Sequence, residues 1–244
     1  MDKNSNKYTF IFAIVMVFVV AASLSITATT LQPMQNENVR QEKMQNILST
    51  VGIECTRAEA EKLYNKHIVE EIALNNDGEK VESVKAFNVS LSKEMDKPVD
   101  EQVFPMYKAS YKGTTNFVIP LRGKGLWDAI WGYVALEEDF NTVQGVIFDH
   151  KGETAGLGAE ITKDWFQENF KNEKIFSDNG ELVGVKVTKG YSQPSNKDDN
   201  KVDAISGATI TSDGVTDMMQ ERLKNYLPYI KSNSKKIAYN NEQQ

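Results

Sequence analysis

Cysteine is nearly missing from this chain: Cys55 stands alone among 244 residues. No intrachain disulfide can form, and a zinc or iron–sulfur centre has no set of thiolates to draw on. Cys55 itself reads as a small apolar residue in a helix-rich segment, in keeping with the burial habit of free cysteine. Histidine is almost as scarce, with only His67 and His150, so no clustered metal-ligating constellation exists. Basic residues are outnumbered, 28 Lys and Arg against 34 Asp and Glu for a net charge of -6, and they form no patch interleaved with aromatics. That removes the electrostatic footprint of a nucleic-acid binder. The spaced glycines of a dinucleotide fingerprint and the lysine of a P-loop are also absent. Glu137, Glu138 and Asp139 lie together but lack the partnered hydroxyl or histidine of a hydrolase triad, and they read as a solvated turn. His150, beside Asp149, has no nucleophile motif with it and reads as a surface or hydrogen-bonded histidine.

Charge is absent altogether from Tyr8 to Leu31, "YTFIFAIVMVFVVAASLSITATTL". This run exceeds the roughly 20 helical residues that cross a hydrocarbon core, and it predicts one transmembrane helix. A cleaved signal peptide is the competing reading, because small residues follow the most apolar part. Lys3 and Lys7 precede the run and the next basic residue is Arg40, an asymmetry that favours a cytoplasmic N-terminus with the rest of the chain on the other side.

Beyond the anchor, "QPMQNENVRQEKMQNILSTVGI" and "ECTRAEAEKLYNKHIVEEIAL" have apolar residues at spacings of three and four, which predicts helices. Met44, Ile47, Leu48 and Val51 form one apolar face, and Thr56 with Glu59 forms a capping box. A turn at "NNDGE" leads into strands over Met106–Pro120 broken near Gly113, then "GYVALEED", "TVQGVIFDHKGE" and "LVGVKVTKG". "TKDWFQENF" predicts a short helix, with Thr162 or Asp164 near its start. A last amphipathic helix is expected from Thr216 to Ile230. The fold class is therefore α+β, with antiparallel strand pairs and flanking helices tethered to one N-terminal transmembrane helix.

The stretch "DAISGATITSDG", residues 203–214, places small residues and hydroxyls ahead of that last helix. Ser206, Gly207 and Ala208 let another molecule approach the backbone closely. Thr209, Thr211 and Ser212 stand where unsatisfied amides and the helix dipole favour a phosphate. The plainer reading is that Thr211 or Ser212 is simply an N-cap. Two further stretches have related character. "GETAGLGAEIT", residues 152–162, sets Gly156 and Gly158 around Leu157, a backbone able to approach a planar ligand. "RGKGLWDAIWGYVAL", residues 122–136, carries two tryptophans at a spacing of four, which core packing also explains.

"GKGLW…GYVAL", "ETAGLG" and "SGAT" after Asp203, in this order behind one N-terminal anchor, resemble the C subunit family of the sodium-translocating NADH:quinone reductases. The related G subunit of Rnf complexes shares the SGAT logic. The likeness covers residue 8 to about 230, and Ala155 stands where the family has proline, a change that removes no amide donor. The resemblance implies an FMN-binding domain over 101–232. It would follow a cytoplasmic tail (1–7), the anchor (8–31) and a helical connector with the start of the soluble region (32–100), and precede a polar tail (233–244). It implies that Thr209 carries FMN through a phosphoester made by a flavin transferase; Thr211, two residues on with its hydroxyl near the same helix start, is the alternative acceptor. Ser206, Gly207, Ala208, Ile210, Thr211 and Ser212 would surround the phosphate. Leu126, Trp127, Glu153, Thr154, Gly156, Leu157 and Gly158 would bind the rest of the cofactor. The implied protein is a single-pass electron carrier of a bacterial inner membrane with its soluble domain in the periplasm. It would take electrons from an iron–sulfur centre between its membrane partners and pass them towards the B subunit and quinone. The B, D and E subunits would be direct partners, with A and F indirect. An anchored binding or assembly module without flavin is the rival from another class.

Overall fold

The computed structural model describes residues 5–233. The first tail residues, including Lys3, and positions 234–244 of the expected polar tail lie outside the described residues. The chain divides between Lys43 and Met44 into two units.

The uncharged run folds as its side chains require, as part of one helix, α1, Asn6–Thr50, long and apolar enough to cross a membrane. Within it the hydroxyls of Ser23, Thr27, Thr29 and Thr30 donate to carbonyls four residues back. The expected connector helix is not separate: α1 continues through Pro33 to Thr50. A turn at Val51–Gly52 then leads to α2, Arg57–His67. The capping box forms, with the Thr56 amide donating to Glu59 Oε2 at 3.1 Å.

The expected helix over the whole second segment stops at His67, and Ile68–Leu74 is strand β1. Two β-branched residues open it, and pairing with a neighbouring strand outweighs its helical spacing. After the turn at Asn75–Glu79 and the short helix α3, Leu91–Glu94, come β2 (Phe104–Tyr111), β3 (Thr114–Lys124), β4 (Ala129–Glu137) and β5 (Val143–His150). These five strands form one antiparallel meander in sequence order. The short helix α4, Asp164–Gln167, follows. The stretch expected to give another strand yields only β6, Lys186–Thr188, which pairs in parallel with β7, Lys201–Asp203, rather than antiparallel. The segment 189–200 supplies the crossover that a parallel pair needs.

Both faces of the sheet are covered, and the side chains alternate between them. Phe117, Ile119 and Leu121 of β3 and Ile130, Val134 and Leu136 of β4 face one cluster, together with Val215, Met218, Met219 and Leu223. Val118, Tyr133 and Ala135 face the other, with Met44, Ile47, Leu48 and Val51 from the end of α1 and Tyr64 of α2. The last four residues of the first group belong to α5, Thr209–Lys224, which lies across β3. Its first turn, together with the loops that follow β3 and β5, builds the site.

Candidate functional site

The amphipathic pattern predicts the last helix from Thr216, but α5 begins seven residues earlier, at Thr209. Its N-cap is Ala208, which has no side-chain acceptor, so no cap side chain satisfies the amides of the first turn. The N-cap reading of Thr211 or Ser212 is thus replaced: both lie inside the helix. Ahead of it, the turn Ser206–Gly207 requires a positive φ of +77° at Gly207, and a Cβ there would come within 2.9 Å of Leu157 Cδ2.

The three stretches converge. A surface cavity of about 200 Å³ is lined by Leu126 from the turn after β3, by Glu153, Thr154, Leu157 and Gly158 from the loop after β5, and by Gly207–Thr211. Of the remaining expected residues, Ser206 is exposed in the turn, and Gly156, at φ +75°, gives its amide to Glu160 Oε1. Trp127 stands beside the cavity with its indole N–H bonded to Thr154 Oγ1 at 3.1 Å. It is exposed, so the core reading does not apply to it. Ser212 is buried in α5 and does not line the cavity.

Within the first turn the hydroxyls differ. Thr209 is exposed at the cavity, whereas Thr211 is buried and donates to Glu153 Oε2 at 2.6 Å. The apolar surface here is unusual for a soluble face: Leu126, Trp127, Leu157 and Ile210 are all exposed. At the flank, Lys151 and the Ala129 amide hold the Asp128 carboxyl below its usual range. His150 is hydrogen-bonded, as expected, its Nδ1 accepting from the Glu153 amide at 3.1 Å. Gly125, inside "GKGLW", and His150 support the site although neither is among the residues expected to touch the cofactor.

A larger groove of about 410 Å³ runs along β1 and residues 80–86, but it gathers Glu70, Glu71, Lys80, Glu82 and Lys85 and none of the expected residues. Among the described residues there is no group of three His, Cys, Asp or Glu able to hold a metal ion. The smaller cavity has the parts to seat a phosphorylated, planar group. It offers a free hydroxyl at the positive end of a 16-residue helix, a close-approach backbone and exposed apolar side chains.

Residues 125–224, which contain all of this geometry, match the family model of the FMN-binding domain. The chain is 31% identical over 230 residues to the C subunit of the Na(+)-translocating NADH-quinone reductase of Haemophilus ducreyi, spanning 88% of each protein. It is 28% identical over 248 residues to the C subunit of Neisseria meningitidis serogroup A, spanning 94% of this chain and 95% of that one. The crystal structure of the C subunit from Parabacteroides distasonis aligns with a TM-score of 0.74 at 39% identity, over 82% of this chain and 96% of the other.

Proposed function

The chain belongs to the C subunit family of the Na(+)-translocating NADH-quinone reductases, and from this premise we propose that its FMN is carried covalently, as a phosphoester on Thr209. It is a flavoprotein subunit of an oxidoreductase complex, with an FMN-binding domain at 125–224. The observation that supports Thr209 is the contrast between the two threonines. Thr209 presents an exposed hydroxyl to the cavity, and Thr211 is buried and committed to Glu153.

FMN supplies reversible one- and two-electron redox chemistry when bound, and the protein supplies placement and tuning. In attachment, the Thr209 oxygen bonds to the phosphorus on the flavin side of FAD, the phosphoanhydride bond breaks, AMP leaves, and the hydroxyl proton passes to the transferase. The phosphoester keeps a charge that the uncapped amides of α5 oppose. Leu126, Trp127, Leu157 and Ile210 would give the isoalloxazine or its ribityl chain an apolar seat, with Thr154 and Gly158 lining the same cavity. Covalent attachment prevents loss of the flavin where no large pool would replace it.

The apolar part of α1 is the membrane anchor. The reading places the N-terminus in the cytoplasm and the domain on the periplasmic side of a bacterial inner membrane, on the electron route between an intramembrane iron–sulfur centre and the B subunit. The B, D and E subunits are the partners it implies. An Rnf G subunit and a flavin-free module are less well supported, since the relatives above are named as C subunits and the matched domain is an FMN-binding one.

Intact mass, in-gel flavin fluorescence and a peptide map over residues 201–222 test the attachment. The full chain, made with an active flavin transferase, will carry one FMN increment on the Thr209 peptide. Thr209→Ala will carry none and stay folded. Covalent flavin in that variant would refute the assignment.

A further inference from the structure

We propose that Glu153 is the positioning residue of this site, its carboxylate acting through Thr211 and Trp127 to hold the Thr209 hydroxyl and the exposed indole in one geometry. The inference rests on Thr209 as the attachment residue, and it concerns a side chain whose oxygens are engaged by the protein itself.

Glu153 is 7% exposed, and no ion pair among the described residues includes it. A buried carboxylate is costly unless hydrogen bonds replace its hydration. Here Oε1 accepts the Trp127 amide at 3.0 Å and Oε2 accepts the Thr211 hydroxyl at 2.6 Å, while the Glu153 amide donates to His150 Nδ1. One carboxylate therefore joins the turn between β3 and β4, the loop after β5 and the first turn of α5.

The surrounding backbone is shaped to admit it. A Cβ at Gly125 would come within 2.5 Å of Oε1, and one at Gly158 within 2.4 Å of Oε2 and 2.5 Å of Thr211 Oγ1. Such distances require something to shift, so both glycines serve the close approach of the carboxylate.

Helix geometry carries the effect to Thr209. At 3.6 residues per turn, positions two apart point to nearly opposite sides of the axis. Pinning Thr211 inward on Glu153 turns Thr209 outward, where it is exposed. Trp127 is held at two points, its amide by Glu153 and its indole N–H by the neighbouring Thr154. The acceptor hydroxyl and the large apolar side chain of the seat are thus registered to each other by one buried group.

The test uses the full-length chain in detergent, FAD and a limiting amount of flavin transferase, with FMN incorporation followed by intact mass. Visible circular dichroism of the attached flavin reports its surroundings, and far-ultraviolet circular dichroism reports the fold. Glu153→Ala is expected to slow incorporation at least tenfold and to alter the flavin spectrum. Glu153→Gln, whose amide can accept from Trp127 and donate to Thr211, is expected to restore most of the rate and the wild-type spectrum. If Glu153→Ala fails to fold, Thr211→Val decides, since it breaks one bond with little change of volume and should slow incorporation. Wild-type rate and spectrum in Glu153→Ala, or wild-type rate in Thr211→Val, would overturn the positioning role. A wild-type chain without FMN on the Thr209 peptide would instead overturn the attachment reading beneath it.

Discussion

Thr209 and Thr211 carry the same hydroxyl two residues apart and meet opposite surroundings, and the carboxylates of this domain divide in the same way. Burial pushes the Glu173 carboxyl up, and the bond from Lys197 opposes that only in part. At Asp139, burial would also raise the carboxyl, but the Thr142 hydroxyl and the Thr142 and Asn141 amides donate to it and hold it low. These bonds close the turn from β4 to β5, the acidic stretch that reads as a solvated turn in the sequence. Because the folded pKa is depressed, this contribution is fully present above the unfolded value, about 4, and is lost as pH falls through the folded value. Asp139→Asn is therefore expected to cost about 1 kcal/mol at pH 7, with a smaller gap at pH 3. Urea unfolding at the two pH values checks this, and an equal gap at both would refute it.

At the scale of the element, α5 combines a core helix with the proposed attachment end. Gly214 shows how closely it must lie on β3, since a Cβ there would fall 2.3 Å from the Lys124 carbonyl oxygen. Helix propensity alone predicts that Gly214→Ala would stabilise by about 1 kcal/mol. The clash is with backbone in a packed layer, where overpacking costs roughly 1–3 kcal/mol. Net destabilisation and slower FMN attachment are expected, read from the urea midpoint and from incorporation followed by mass. A higher midpoint would show that propensity wins. This helix also shows what was legible in advance. Met218, Met219 and Leu223 give away its buried face in the sequence, and the SGAT stretch marks the end proposed to carry the flavin. Its start at Thr209 was hidden because Thr, Ile, Ser, Asp and Gly favour helix weakly, and tertiary packing on β3 overrides them. Strands β2 to β5 of the meander are legible from β-branched and aromatic runs, with a turn at Gly113. Strand β1 is hidden because "IVEEIAL" also fits a helical spacing, and only its pairing partner, from Leu74↔Phe104 to Ile68↔Ala109, decides the matter. In the site, the motif residues were legible by type. The bond from Thr211 to Glu153 spans 58 positions, and no local pattern encodes it.

At the scale of the whole molecule, the boundary between anchor and domain does not coincide with the end of a helix. α1 runs unbroken to Thr50, yet its residues from Met44 onward belong to the second unit. Met44, Ile47, Leu48, Val51 and Ile53 are each 5% exposed or less, and the Thr50 carbonyl lies where a Cβ at Gly145 would come within 2.7 Å. Fully burying such side chains contributes roughly 1.5–3 kcal/mol each as an upper estimate. Together the five match the roughly 5–15 kcal/mol by which a whole domain is usually stable. The apolar anchor and the last helical turns therefore have different consequences when removed. A chain beginning at residue 34 is expected to unfold cooperatively in urea and to accept FMN on Thr209. One beginning at residue 54 leaves the second face of the sheet covered only in part, by α2, and is expected to lose cooperative unfolding and to load FMN poorly, although every residue of the cavity is still present. Equal urea midpoints for the two chains would mean that the end of α1 is ballast rather than core. A clear loss confined to the shorter chain would locate the start of the folding unit between residues 34 and 54, within or just after the end of α1.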